Sequence, residues 1–345
     1  MREDGLLATA QSDEDRAVEI GLRPRRLSEF VGQGPLKERL SILVEAASAR
    51  GEAVDHILFS GPPGLGKTSL AAIVAAEMGA ALRSTSGPAL DRPGDLAAVL
   101  TNLQPGDVLF IDEIHRLPRQ VEEVMYPAME DRQLDIVVGK GPAASSIKID
   151  LPEFTLIGAT TRVGRVAPPL RDRFGYVARL DYYGSDDLAA IVERSSRLLE
   201  CDTEPSGRNA IASRSRGTPR IANRLLRRVR DYAAVRAEGV VTAEVAEVAL
   251  ATFEIDDAGL DKVDRSIIEA LVVKFDGGPV GLSTLAIAVG EDSETVEDAY
   301  EPFLILEGLL QRTPRGRVAT ERAYRHLGLD PPPRNGSNDS QGTLL

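Results

Sequence analysis

Gly61-Pro62-Pro63-Gly64-Leu65-Gly66-Lys67-Thr68 sets three glycines ahead of a lysine and a hydroxyl. It fits the phosphate-binding pattern G-x-x-x-x-G-K-[ST] at every fixed position. Glycines let such a loop curl until its N–H groups point inward at phosphate oxygens, and the helix that follows adds its positive end. Lys67 would reach the β- and γ-phosphates, and Thr68 would ligate Mg²⁺ through its hydroxyl. A second run, Asp107-Val108-Leu109-Phe110-Ile111-Asp112-Glu113, ends an apolar stretch in adjacent carboxylates. Asp112 would hold Mg²⁺ through its water shell, and Glu113 would polarise water for attack on the γ-phosphate. The pair favours a hydrolase over a kinase, whose acceptor would need a second binding site that the sequence does not display. The ligand these residues require is a nucleoside triphosphate.

Elements of a particular kind must hold them. Ile57-Leu58-Phe59 reads as a short buried strand before the loop, and Ser69 to Met78 as an Ala-rich helix after it. Thr155 to Arg162 is a further buried strand ending in polar residues. Thr161 there is placed to sense the γ-phosphate, or else to cap the next turn. In Leu170-Arg171-Asp172-Arg173-Phe174, both Arg171 and Arg173 are candidates to stabilise phosphoryl-transfer charge, within the chain or at a neighbour's nucleotide; a surface ion pair with Asp172 reads the same way. Strands alternating with helices, each strand delivering polar residues at its C-terminal end, describe a parallel α/β sheet with its site along that edge.

Two stretches flank this plan. Leu22-Arg23-Pro24 begins an irregular segment leading into a helix over Leu36 to Ala49; Leu22 and Arg23 could lie over an adenine base, or the stretch could be a basic connector. From Gln133 to Leu151 the apolar period becomes two, around Gly139-Lys140-Gly141-Pro142, which predicts a β-hairpin inserted in the nucleotide fold. Its apolar face could dock a partner protein or pack on its own domain.

From Gly184 the pattern is helical, over Asp186 to Leu199, Asn209 to Ser215, Arg220 to Ala237 and Ala243 to Thr252. Thr218 reads as the N-cap of the third, with Pro219 in the first turn. Arg220 in that turn opposes the helix dipole, a placement that suits nucleotide contact better than stability. Beyond Asp256, apolar periods give helices starting at Val263, over Leu282 to Val289 and over Val296 to Leu306, then a hairpin from Leu309 to Thr320. Three helices and a basic hairpin make a winged-helix arrangement. Arg312, Arg315 and Arg317 would form a positive wing for DNA phosphates, unless the hairpin is only a solvated tip. No aromatics interleave there, so backbone contact is expected rather than base stacking. Met1 to Ala17 and the stretch after Asp330 read as polar tails.

Composition excludes other classes. The 345 residues, 43% hydrophobic and 27% charged, are those of an ordinary water-soluble chain with room for two or three domains. No apolar run would span a bilayer, no signal-peptide pattern opens the chain, and one cysteine, Cys201, suits a reducing cytoplasm. Three His and one Cys, scattered, exclude a Cys/His metal cluster. With a net charge of −12, any nucleic-acid contact must be a local basic patch on an acidic body.

With these residues in place the chain resembles the AAA+ ATPases, and within them the motors of Holliday-junction branch migration. The likeness runs over Leu22 to Leu329 and rests on Arg23 to Gln33, Gly61 to Thr68, Leu109 to Arg116, Leu151 to Arg162, Leu170 to Gly175, Gly217 to Arg220 and Gln311 to Thr320. It implies a P-loop domain with a parallel sheet (residues 1–183, with the hairpin insertion 133–151), a small helical domain (184–254) and a C-terminal winged-helix domain with a tail (255–345). It implies ATP and Mg²⁺, with Leu22 and Arg23 on the adenine side and Gly64, Lys67, Thr68 and Ser69 at the phosphates. Glu130, Asp131 and Arg132 would fall near the nucleotide site, Arg173 would be an arginine finger acting in trans, and Tyr183 and Arg220 would complete the pocket. Arg312 and Arg317 would touch DNA. The resemblance further implies a cytoplasmic homohexameric ring on duplex DNA, a hairpin docked on the junction-binding protein RuvA, and the resolvase RuvC as a further partner. Ser69 stands where the family usually has Thr, and Arg132 where an aromatic is usual. A clamp-loader-like or chaperone-like ATPase and an ATP-switched DNA-binding regulator are the alternatives.

Glu113→Gln is expected to bind ATP and not hydrolyse it; tight binding with near-normal turnover would remove the role given to Glu113.

Overall fold

The computed structural model describes residues 18–138 and 145–332, so the tails and the Gly139 to Ala144 tip lie outside the described residues. Five parallel strands form the central sheet: β1 (Ile57–Ser60), β2 (Leu82–Ser86), β3 (Val108–Asp112), β6 (Thr155–Thr160) and β7 (Tyr176–Arg179), in the order β2-β3-β6-β1-β7. β1 and β6 are buried throughout, as strands covered on both faces should be, which is why they read as unbroken apolar runs. The outer strands β2 and β7 are more exposed and mix in Arg83, Ser84 and Arg179, so no apolar run announces them. Parallel register decides the chemistry of one edge: Ser60 lies opposite Thr160 and Arg179, and Asp112 opposite Ser86.

Helices α1 (Gly34–Arg50), α2 (Lys67–Glu77), α3 (Pro93–Thr101), α4 (Arg119–Glu130) and the short α5 (Pro168–Arg171) complete this layer. Leu96, Leu100, Val121, Met125 and Leu170 bury against Leu109, Ile111 and Leu156 of the sheet. The expected hairpin forms from β4 (Gln133–Val138) and β5 (Ser145–Asp150), which pair antiparallel with Leu134 opposite Ile149. At its base Leu134 and Ile149 join this same core, so that part of its apolar face serves its own domain.

Four helices follow: α6 (Ser185–Leu198), α7 (Pro205–Ser213), α8 (Pro219–Arg236) and α9 (Ala243–Thr252), with the two-residue parallel strands β8 (Asp202–Thr203) and β9 (Val240–Val241). α7 starts earlier than the expected Asn209 because Pro205, preset for the first helical position, opens it. Thr218 holds the N-cap position of α8, but its hydroxyl donates to the Arg216 carbonyl (3.1 Å) instead of capping.

The chain divides into two compact units, one running to Ala249 and one from Leu250 onward. The second holds α10 (Lys262–Glu269), α11 (Leu282–Val289), α12 (Ser293–Thr295), α13 (Glu301–Leu306), the antiparallel wing β10 (Leu310–Thr313) and β11 (Gly316–Ala319), and α14 (Glu321–His326). Wider π-helical turns, Ala270–Lys274 and Val296–Tyr300, extend α10 and join α12 to α13. Asp261 accepts from the Val263 and Asp264 N–H groups while Asp264 accepts from that of Asp261, a reciprocal cap that starts α10. Leu260, Ile267, Leu271, Leu285, Tyr300 and Leu304 form this unit's core.

Candidate nucleotide site and wing

A cleft opens above the C-terminal edge of the sheet, within the first unit. The loop residues Pro63 to Ser69 form its floor, Asp112 and Glu113 one side, and Leu22, Arg23, Phe30 and Val31 another; Tyr183, Pro219 and Arg220 close it from the helical segment. Lys67 is buried and donates to the carbonyls of Gly61 (2.7 Å) and Pro62 (2.9 Å). Burial lowers its pKa to about 8, while the nearby Glu113 and Asp112 carboxylates pull the other way.

Loop and lid touch directly. Tyr183 Oη donates to the Leu65 carbonyl (3.0 Å), and burial raises that phenol's pKa well above its usual range. The Arg220 N–H donates to the Gly64 carbonyl at 3.4 Å. Gly64 has φ +80, and a Cβ there would come within 2.8 Å of Thr218 Cγ2 and 3.0 Å of Arg220 Cβ. Only glycine fits that contact.

Glu113 follows β3 in the left-handed region (φ 48), its N–H on Asp112 Oδ1 at 3.0 Å. Strained backbone at such a point is a mark of functional sites. Thr161 Oγ1 donates to Glu113 Oε2 at 3.2 Å, so the strand-end threonine meets the carboxylate and not merely its own turn. The Thr68 hydroxyl and the Asp112 carboxylate share the cleft and are hard oxygen donors. One carboxylate and one hydroxyl beside a triphosphate suit Mg²⁺, which keeps several of its waters.

Sequence reasoning missed several members of this site. His115 Nδ1 lies 3.1 Å from Glu113 Oε2. Glu19 Oε1 lies 3.1 Å from Arg220 Nε and 4.0 Å from Arg23 Nη2, an acid placed between two of the expected nucleotide residues. Arg194 of α6 donates to the Leu22 carbonyl (2.6 Å) and fixes that wall. Only the His115 contact had a signal, since that residue follows the carboxylate pair by two positions.

Glu130, Asp131 and Arg132, expected near a nucleotide site, and Arg173, expected to act in trans, do not line this cleft. Arg173 donates to Glu130 Oε2 (3.0 Å) and the Pro169 carbonyl (2.6 Å), with its guanidinium 4.7 Å from the centre of the Tyr126 ring. Arg132 turns the chain into β4 with φ 54 and donates to Glu153 Oε1 (2.7 Å). Asp131 ends α4 as its C-cap. Glu130, Arg132 and Arg173 line a separate depression, because α4 and α5 carry them to other ground. Arg171 sits 3.9 Å from Asp172 at the surface.

The wing departs further from expectation. Arg312 and Arg317 are direct cross-strand neighbours, which for like charges is unfavourable until acids intervene. Glu297 Oε1 takes Arg312 Nη2 at 2.7 Å, and Glu301, 2% exposed, takes Arg317 Nη2 at 3.0 Å. The Arg317 side chain is only 10% exposed, so it lies inside the wing, while Arg312 and Arg315 face solvent. The three arginines therefore do not form one open positive surface.

A phosphate loop after β1, roofed by a helical lid in one compact unit, with an acid pair ending β3 one strand removed, is the arrangement of an AAA+ ATPase. Residues 22–180 match the Holliday junction DNA helicase RuvB P-loop domain, 183–256 the RuvB AAA lid domain and 257–328 the RuvB C-terminal winged helix domain. The Holliday junction branch migration complex subunit RuvB of Acidothermus cellulolyticus is 62% identical over 326 residues, covering 94% of this chain and 89% of that one. Its counterpart in Streptomyces avermitilis is 57% identical over 343 residues, covering 99% and 96%. The solved structure of the Thermotoga maritima RuvB Holliday junction branch migration motor matches with a TM-score of 0.83 at 47% identity, over 90% of this chain and 100% of that one. The chain belongs to the RuvB family.

Two expectations follow from the geometry. A triphosphate beside Lys67 would raise its pKa above the value of about 8 in the free protein, so at pH values between the two the complex holds the extra proton. Apparent ATP affinity should then fall about tenfold per pH unit as pH rises above that value. Calorimetry of the wild type against Lys67→Met checks this; a wild-type affinity flat across that range would refute it. In the wing, Arg317→Ala takes from buried Glu301 its close partner, leaving only Arg312 Nε at 3.8 Å, and should cost the second unit about 3 kcal/mol in urea unfolding. Arg312→Ala and Arg315→Ala should spare stability and each lower the salt slope of DNA binding by about one. An Arg317→Ala chain of normal stability that only loses DNA affinity would overturn the division.

Proposed function

We propose that this chain is the ATP-driven subunit that moves the branch point of Holliday junctions, as a homohexameric ring on duplex DNA. The observation that carries the ring is the separation of Arg173 from the chain's own cleft. An arginine held ready on other ground suits a neighbour's γ-phosphate, and such a finger acting in trans is a known source of charge stabilisation. The names and lengths of the RuvB relatives support the junction as substrate.

Within one cleft, Leu22 and Arg23 would flank the adenine and the Gly64 to Ser69 backbone would cradle the phosphates, with Lys67 on their outer oxygens. Ser69, a hydroxyl like the usual threonine, keeps that donor set. Thr68 and Asp112 would hold Mg²⁺, which neutralises charge on the phosphates when bound. Glu113 would accept the proton of the attacking water, with Thr161 holding its carboxylate. Arg220, hydrogen-bonded through its backbone to the loop, would report the γ-phosphate to the lid. Glu130, Asp131 and Arg132 would meet a neighbour's nucleotide alongside Arg173. Arg312 and Arg315 would contact DNA phosphates, with Arg317 acting through the wing it holds together. The hairpin of residues 133–151 would dock RuvA, and RuvC would act on the junction so held. A cytoplasmic location goes with these partners, and the single free cysteine, Cys201, suits it.

The test is ATP-dependent dissociation of a synthetic four-way junction, with and without RuvA and with Lys67→Ala as control. Dissociation needing ATP, Lys67 and RuvA is expected; DNA-stimulated hydrolysis without junction movement would refute the motor. Mixing Arg173→Ala subunits with wild type should depress activity more than in proportion, and a strictly proportional loss would put that arginine in cis.

A further inference from the structure

His115 is a buried side chain that the scheme above leaves unused. Its side chain is 7% exposed, in the turn (Ile114–Arg116) that follows the carboxylate pair. Nδ1 lies 3.1 Å from Glu113 Oε2 and 2.9 Å from Thr160 Oγ1, the last residue of β6. Thr160 Oγ1 in turn accepts the Arg162 N–H at 3.0 Å, which pins that hydroxyl from the far side. One imidazole nitrogen therefore joins the carboxylate at the end of β3 to the end of the neighbouring strand.

The charge of Glu113 selects the tautomer. A bare Nδ1 lone pair would face a carboxylate oxygen, whereas a single Nδ1–H lies between its hydrogen-bond partner Thr160 Oγ1 at 2.9 Å and Glu113 Oε2 at 3.1 Å, and its positive end faces the carboxylate. Burial lowers the imidazole pKa, with Arg162, Arg165 and Arg116 adding to that and Glu113 opposing it, so the ring donates as a neutral group at neutral pH. Glu113 Oε2 thus accepts from Thr161 Oγ1 at 3.2 Å and faces the His115 N–H at 3.1 Å. Oε1 is left with its proton-accepting capacity.

We infer that His115, through Nδ1–H, is the positioning residue that fixes the Glu113 carboxylate for water activation. The inference rests on the proposed role of Glu113 as general base. In the step it serves, a water oxygen bonds to the γ-phosphorus as the bond to the β,γ-bridging oxygen breaks. The water proton passes to Glu113 Oε1, and ADP leaves with the bridging oxygen and its electron pair. His115 transfers no proton; it holds the base where the water must be. A misplacement of about 1 Å in such a site can cost on the order of a hundredfold in rate.

The test compares His115→Asn and His115→Gln in the full chain on duplex DNA, reading kcat, KM and ATP affinity by displacement of a fluorescent nucleotide. Asn sets an amide N–H near the place of Nδ1–H, and Gln carries its amide one carbon further; both are polar and neutral. His115→Gln and His115→Leu should lose about 10- to 100-fold in kcat with ATP affinity within about twofold, and His115→Asn should stay within about fivefold of wild type. Equal losses in Asn and Gln, unchanged kcat in both, or affinity falling in step with kcat would overturn the inference. Glu113→Gln in the same assay separates the two levels. If it is inactive while Asn and Gln behave alike, the His115 link alone is wrong. If it turns over normally, the base falls and His115 with it.

Discussion

The contact between the phosphate loop and the start of α8 is the constraint on which the site depends. Gly64 must adopt positive φ to curl the loop, and it must lack a side chain because Thr218 and Arg220 occupy the space a Cβ would need. The two demands fall on one residue, so loop shape and lid position are set together. Tyr183 and Arg220 each add a hydrogen bond to a loop carbonyl, and those contacts involve the backbone that would surround phosphates. Loop and lid are thereby joined with no intervening residue.

Register in the parallel sheet does the remaining positioning. Because β3, β6 and β1 are neighbours, their ends bring Asp112, Thr160 and Ser60 to one edge. Glu113 then turns through a left-handed residue, and Thr161 and His115 meet its carboxylate from two different elements. A side chain over-determined in this way suits an acid that must be in one place at one moment.

Charge follows a common rule throughout. On a chain of net charge −12, the arginines that matter are paired: Arg173 with Glu130, Arg220 with Glu19, Arg312 with Glu297, Arg317 with Glu301. Exposed pairs of this kind contribute little to stability and can be exchanged for phosphate. The buried Arg317–Glu301 pair cannot be exchanged so cheaply, since breaking it leaves a charge in the core of the unit. Burial therefore separates the structural Arg317 from the arginines proposed to meet nucleotide and DNA, where residue type does not.

Local features were legible in the residues alone. The phosphate loop, the buried strands at Ile57, Leu109 and Leu156, the inserted hairpin and the three helices before the wing all follow from turn chemistry and apolar period acting over a few neighbours. The edge strands β2 and β7 escaped because an edge strand needs no apolar run. Tertiary structure alone decided that Arg317 is buried, that Arg173 and Glu130 leave the chain's own cleft, and that His115 meets Thr160. Each of these depends on a partner brought close by folding: Glu301 is sixteen residues from Arg317, Glu130 is 43 from Arg173, and Thr160 is 45 from His115. Period and spacing record what neighbours along the chain require of one another, whereas exposure and pairing are set by whatever the fold brings alongside.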